Sequence, residues 1–240
     1  MAPPRFFVDH LDLGAVQLSS EDSRHALRSL RLKEGEAVSL ADGRGRVGLG
    51  RLRAAMRGAA VIEVERVDKV AAPKPSVTVV LAPPKGDRLK WAVQKMAELG
   101  VDRTVLVQTE RSVRGWEDAR AEKALDRLRT TAREAAMQSR QAFIMAVEDG
   151  GVLTRWLESA HASKVLLWER AELQLRMGLP PTPSDVALLI GPEGGFADEE
   201  VASAKRAGAN VASLGPTVLR TETAAMVAAS LTLAHYGRLG

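Results

Sequence analysis

From Val77 onward, short uninterrupted apolar runs alternate with segments of helical period. No other feature constrains the fold as much. A strand that is apolar on both faces must be covered on both faces, and a parallel sheet between layers of helix does that. Residues 77–82 are the first such run. Residues 87–99 follow, with Leu89, Ala92, Val93 and Met96 repeating along one helix face. Gly100 suits the left-handed residue that ends a helix. Further strands are expected at 104–108, 143–147, 165–168, 186–190 and 211–214. Further helices are expected at 117–136, 152–159, 198–207 and 223–236. The fold class is α/β.

The stretch Val70-Ala71-Ala72-Pro73-Lys74-Pro75 suits an extended linker. It divides the chain into an expected first domain, 1–72, and a second, 73–240. The first reads as short glycine-rich strands at 37–40, 47–52 and 60–67, with turns at Asp42-Gly43-Arg44-Gly45 and Arg57-Gly58. A short helix is expected from Ser20-Glu21-Asp22, carrying His25, Leu27 and Leu30. The sum is a small β-barrel.

Composition removes several kinds of chemistry. There is no cysteine, so disulfides, thiolate catalysis and cysteine-ligated metals are excluded. His10, His25, His161 and His235 have no ligand spacing, so no metal site is expected. Aromatics are only 4%, which argues against a binder that stacks bases on aromatic platforms. No apolar run approaches a membrane span and the first ten residues lack a signal-peptide core, so a cytoplasmic protein is expected. A net charge of +4 permits nucleic-acid binding without demanding it.

Three motifs bear on function. Gly43-Arg44-Gly45-Arg46-Val47-Gly48 matches a dinucleotide fingerprint, but that motif needs a helix opening at its third glycine. Here Leu49-Gly50-Arg51-Leu52 alternates like a strand, so a hairpin turn is expected and a nicotinamide enzyme is not. The second motif, Ile190-Gly191-Pro192-Glu193-Gly194-Gly195-Phe196, puts a glycine-rich loop at the carboxyl end of a buried strand, where open α/β sheets bind ligands. Pro192 removes an N–H donor and Glu193 adds a carboxylate, the reverse of a phosphate cradle. A phosphate-free, positively charged ligand such as S-adenosylmethionine fits better. The third, Leu214-Gly215-Pro216-Thr217-Val218-Leu219-Arg220-Thr221-Glu222-Thr223-Ala224, again joins a strand to a helix, with Thr221 placed to cap it. Two such loops at one sheet edge make one pocket.

These residues resemble the RsmE-type small-subunit ribosomal RNA (uridine-N3) methyltransferases of the SPOUT superfamily. The resemblance runs from Arg5-Phe6-Phe7-Val8 and His25-Ala26-Leu27-Arg28 through Lys85-Gly86-Asp87-Arg88, Gln94-Lys95-Met96-Ala97-Glu98-Leu99-Gly100 and Glu110-Arg111-Ser112. It continues through Glu134-Ala135-Ala136 with Gln138-Ser139 to the two loops just described. It implies a PUA-like RNA-binding barrel followed by a SPOUT domain with a trefoil knot, working as a homodimer. The implied partner is 16S ribosomal RNA in the assembled small subunit. S-adenosylmethionine would be held by Trp168, Glu169, Ile190, Gly191, Pro192, Glu193, Gly194, Gly195, Leu214, Gly215, Val218, Leu219 and Thr221. Arg220, Glu222 and Glu193 would be catalytic. Arg220 would stabilise charge on the uracil carbonyls, and a carboxylate would assist deprotonation or orient Arg220. Arg5, Arg28, Lys85, Arg88, Arg111, Arg133 and Arg140 would meet RNA. The alternative within the superfamily is methylation of a ribose hydroxyl or a guanine; outside it, an RNA-binding protein without catalysis. The chain departs from the family pattern in four places. Ala197 stands where a serine-like cap is usual, leaving Asp198, Glu199 and Glu200 to start that helix. Met137 replaces a usual Glu, Thr217 stands where Arg is frequent, and 141–143 lack further basic residues.

Overall fold

The structure is a computed structural model that describes residues 2–56, 58–84, 86–112, 119–160 and 162–240. By contact it falls into two compact units: Met1–Ala72 with Ala136–Ile144, and Pro73–Ala135 with Met145–Gly240. The return of 136–144 to the first unit departs from the sequence reading, which kept everything after Ala72 together.

The first unit is a five-stranded sheet in the order β1-β3-β4-β5-β2, made of β1 (Arg5–Phe7), β2 (Gly14–Gln17), β3 (Ala37–Ala41), β4 (Arg46–Met56) and β5 (Ala59–Lys69). β1 and β2 were not expected: each is too short to show an alternation. Helix α1 (Ser20–Arg24) starts where Ser19 Oγ accepts the Asp22 N–H at 3.0 Å, and runs into a π-helical turn over His25–Ser29. Phe6, Leu11, Leu18, Val38, Leu40, Leu52 and Ile62 fill the core of the unit. Asp42 Oδ1 accepts the N–H groups of Arg44 and Arg46, at 2.7 and 3.0 Å, and closes the turn before β4. A strand thus stands where a dinucleotide site needs a helix.

The glycines of that stretch answer to packing. A Cβ on Gly48 would lie 2.9 Å from the Leu11 side chain, and one on Gly50 only 2.2 Å from the Glu63 carbonyl, at the point where the β4–β5 register shifts.

The second unit is a six-stranded sheet in the order β11-β9-β10-β6-β7-β8, parallel throughout. Its strands are β6 (Val77–Leu81), β7 (Arg103–Gln108), β8 (Ala146–Val152), β9 (Ser163–Leu167), β10 (Val186–Ile190) and β11 (Asn210–Ala212). Its helices are α2 (Arg88–Leu99), α3 (Ala119–Gln138), α4 (Leu153–Ser159), α5 (Leu175–Gly178), α6 (Asp198–Arg206) and α7 (Thr221–His235). The last turn of α3 groups with the first unit. The side chains divide by parity. Val79, Leu81, Leu106, Leu188 and Ile190 face the layer that includes α2, α3 and α7. Val80, Val105, Val107, Ala187 and Leu189 face α4 and α6. Every residue of β10 is buried. This is why the run 186–190 shows no alternation: it is buried on both faces at the middle of the sheet.

Several boundaries differ from expectation, and α5 was not expected. β8 is an edge strand at 146–152, not 143–147, because Phe143 pairs with Arg44 in the first unit. Helix α7 begins at Thr221 rather than Thr223. Beyond it, Arg238 reaches Asp102 Oδ2 at 2.6 Å and donates to the Pro75 and Gly100 carbonyls at 2.7 and 2.8 Å, tying the chain end to the start of β6.

Gly50→Ala is expected to lower stability by about 1–3 kcal/mol, the usual cost of overpacking. Leu13→Ala, at a residue 69% exposed, is expected to change it by less than about 0.5 kcal/mol. Urea denaturation of the two variants checks this; equal midpoints would mean that the β4–β5 contact yields freely.

Candidate active site

Because the second sheet is parallel, the carboxyl ends of its strands lie on one edge. Trp168 and Glu169 follow β9, the glycine-rich loop follows β10, and the 214–220 loop leads from β11 into α7. Together they enclose a cleft of about 230 Å³. Each residue that the sequence assigned to a cofactor lies on its wall: Trp168, Glu169, Ile190, Gly191, Pro192, Glu193, Gly194, Gly195, Leu214, Gly215, Val218, Leu219 and Thr221. Sequence reasoning missed Leu167, Phe196, Thr217 and Ala224, which also line it. Adjacency to the two loops was the one signal that pointed to them.

Three elements hold the β10–α6 loop. Arg111, in the loop after β7, donates to the Gly194 carbonyl at 2.9 Å and more weakly to that of Phe196 at 3.5 Å. A Cβ on Gly194 would stand 3.3 Å from Arg111 Cβ, so any other residue would crowd this approach. Thr221 donates its hydroxyl to the Gly191 carbonyl at 3.0 Å. That corrects the expected capping role: Arg220 is the N-cap of α7, and the threonine is used to join the two loops. Glu200 accepts the Ala197 N–H through Oε2 and the Glu110 N–H through Oε1, each at 2.9 Å. It therefore starts α6 without a side-chain cap on Ala197 and anchors the loop after β7 as well.

Among the cleft's lining residues the charged ones are Glu169 and Glu193, both acids. Leu167, Trp168, Ile190, Phe196, Leu214, Val218 and Leu219 supply apolar surface. A cationic ligand with a flat apolar part is favoured, and a polyphosphate, which needs donors and positive charge, is not. S-adenosylmethionine, a sulfonium carrying adenine and no phosphate, fits this wall.

The candidate catalytic residues lie on or beside it. Glu193 is on the wall. Arg220 is exposed and has no ion pair or hydrogen bond from its side chain among the described residues. Glu222 is buried, and its Oε2 has no hydrogen-bond partner among the described residues. Arg88 opens α2 and stands between the acids, with Nη1 3.6 Å from Glu193 Oε1 and Nε 3.7 Å from Glu222 Oε1.

The arginines expected to meet RNA separate into groups. Arg5 donates to Ser39 Oγ and to the carbonyls of Arg140 and Gln141. Burial, then the Arg140 charge, lowers its pKa. Arg140 donates to the Ala2 carbonyl at 3.0 Å. These two bind the first unit together, and Arg111 and Arg88 are engaged at the cleft. Arg28 is exposed on the π-helical turn, with no side-chain partner among the described residues. Arg133 is half-buried on α3. Lys85 lies outside the described residues. Among the described residues no group of three or more acidic or histidine side chains could hold a metal.

Comparison with known proteins decides the family. The RNA methyltransferase domain family matches residues 72–233, and the RNA methyltransferase PUA domain family matches residues 18–65. Ribosomal RNA small subunit methyltransferase E of Mycobacterium bovis is 39% identical over 93% of this chain and 88% of its own length. The chain belongs to the ribosomal RNA small subunit methyltransferase E family. Among solved structures, the Neisseria gonorrhoeae methyltransferase E bound to S-adenosylmethionine is similar at a TM-score of 0.86 and 28% identity, covering 97% of this chain and 98% of that one. A Legionella pneumophila methyltransferase in complex with the same cofactor is similar at a TM-score of 0.89 and 29% identity, covering 98% of each chain. The PUA-like first unit and the SPOUT-type parallel sheet of the second agree with the architecture that the resemblance implied.

Arg111→Ala removes the donor that holds the Gly194 carbonyl. It is expected to weaken S-adenosylmethionine binding roughly tenfold, or about 1.4 kcal/mol, in titration calorimetry. The salt dependence of RNA binding should not change. A slope reduced by about one, with cofactor affinity intact, would return Arg111 to the phosphate contacts.

Proposed function

We propose that the protein methylates N3 of a uridine in 16S ribosomal RNA, using S-adenosylmethionine. The observation that carries this reading is a cleft whose charged wall residues are both acidic, with an unpaired arginine on the adjoining loop. Bound S-adenosylmethionine supplies an electrophilic methyl group on a sulfonium. The residues of the two loops hold adenosine and methionine and align them for in-line displacement, where orientation matters most. Uridine N3 carries a proton and becomes nucleophilic as that proton leaves. Arg220 stabilises the negative charge that develops on the uracil carbonyls. Glu222 or Glu193 takes the proton or orients Arg220. The N3–H bond and the methyl–sulfur bond break, the N3–CH3 bond forms, and a neutral thioether and a proton are released.

The target base must leave its pair, because N3 lies in the pairing edge. The PUA-like unit holds the RNA by its backbone, with Arg28 as its free cation from the expected set. The activity belongs to the cytoplasm, where ribosomes assemble, and no helix among the described residues is long and apolar enough to cross a membrane.

The knot and the dimer are part of the same proposal. β10 inserts between β9 and β6, β11 adds outside β9, and α7 then packs against residues of β6 and β10. The chain returns past β9 to do so, and that return supports the reading of a trefoil. Helix α7 is apolar nearly all round. Ala225, Ala228, Ala229 and Leu233 are in the core, while Leu231 is 51% exposed and flanks a groove with Leu99, Met226 and Val227. A helix apolar on every side calls for a second cover, which a partner subunit supplies. The assembled small subunit is the proposed substrate.

Incubation with labelled S-adenosylmethionine and unmodified small ribosomal subunits is expected to yield labelled 3-methyluridine on nucleoside digestion. A labelled 2′-O-methylnucleoside or methylguanosine would replace the target atom, and absence of cofactor binding would leave an RNA-binding protein. Arg220→Ala is expected to lower kcat by ~10²–10³-fold with cofactor affinity nearly unchanged. Turnover near that of the parent protein would remove Arg220 from the chemistry.

A further inference from the structure

The position of Arg88 assigns it a task different from the RNA contact expected of it, and the inference rests on the methyl-transfer reading above. Its guanidinium is shared between Glu193, on the cleft wall, and Glu222, in the first turn of α7, at 3.6 and 3.7 Å. It makes no hydrogen bond to either among the described residues. Glu222 is the more confined: its side chain is 10% exposed against 43% for Arg88, and Oε2 is buried with no donor. A buried carboxylate oxygen without a donor among the described residues is costly, and a cation beside the group decides where it points. Two acids beside that cation also make the position a poor one for an RNA phosphate, which they would repel.

We propose that Arg88 is a positioning residue. It holds Glu222 turned so that Oε1 faces the guanidinium and Oε2 is kept in reserve for a donor. It thereby sets the first turn of α7, immediately after Arg220. Its second hold, on Glu193, links that turn to the cofactor wall. A cation entering the cleft competes with Arg88 for Glu193 and leaves the guanidinium to Glu222.

The test uses the full-length protein. Arg88→Ala is expected to lower kcat about 100-fold, the scale of a small misplacement of reacting groups, while KM for small subunits stays within about twofold. Affinity for S-adenosylmethionine, read by calorimetry, should not weaken, because Arg88 is not among the residues that line the cleft. Glu222→Gln should lower kcat similarly, and the double variant should lose no more than the more damaged single one, the mark of residues acting as one unit. Arg88→Lys, which keeps the charge without the fork, should recover part of the loss and stands in if Arg88→Ala does not fold. A raised KM with kcat intact, or losses that multiply in the double variant, would overturn the proposal. Should the parent protein transfer no methyl group, the functional reading fails, and the Arg88–Glu222 coupling is then read from the same cycle on stability in urea denaturation, where purely additive losses would overturn it.

Discussion

The structure turns on one strand. β10 is five residues of Val, Ala, Leu, Leu and Ile, all buried, hydrogen-bonded to β9 on one side and β6 on the other. Each large side chain contributes about 1.5–3 kcal/mol by leaving water, so no other place in the fold could take this run at lower cost. Seating it at the centre, parallel to its neighbours, sends its carboxyl end to the same edge as those of β6, β7 and β9. The loop that follows is therefore delivered beside Trp168 and Glu169, and the chain's own return through β11 brings the second loop to the same place. The cleft is a consequence of strand order before any of its side chains is considered.

Charge then decides what the cleft accepts. Several arginines lie close to it, yet none is among its lining residues. Arg111 is spent on backbone carbonyls and Arg88 on two carboxylates, which leaves a wall whose formal charges are Glu169 and Glu193. Farther out, Arg170 approaches Glu169 at 3.9 Å and Asp198 at 3.6 Å, with its guanidinium 5.4 Å from the Trp168 ring centre. Exposed pairs of this length are weak. They leave the acidity of the wall in place while covering the outer face of Trp168.

Much of the second unit was legible because burial on both faces erases alternation in a strand and leaves a clear 3.6-residue period in the helices that cover it. The same logic explains the failures. β8 is an edge strand whose interior is Glu148, Asp149, Gly150 and Gly151, so it carries no apolar signal, and the nearby apolar Phe143 and Ile144 belong to the other unit. β1 and β2 are too short for any period. The cleft wall was legible from its glycines, since three of them with a proline exceed what a turn requires. The roles of single polar residues were not. Thr221 in front of a helix looks like a cap, and only its 3.0 Å reach to Gly191 shows that it bridges two loops. Arg5 and Arg140 look like RNA contacts because they are arginines, and only the structure shows that each also holds backbone carbonyls of the first unit.

The two glycine-rich stretches show what separates a site from a turn. In the first unit, a side chain on Gly50 would strike the backbone of the next strand, so the missing Cβ is filled by the protein itself. In the β10–α6 loop, Gly194 yields its space to Arg111 and Gly191 to Phe196, whose ring would stand 3.1 Å from an added Cβ. There the glycines let other groups hold the loop from behind while its front stays open to the cleft. Arg111, Thr221 and Glu200 fix that loop from three different elements, so its backbone is set before any ligand arrives and little ordering entropy remains to oppose binding. A rigid front also turns shape into selectivity. A ligand must match the wall as built, and one that carried phosphates would meet two carboxylates and no basic side chain among the lining residues.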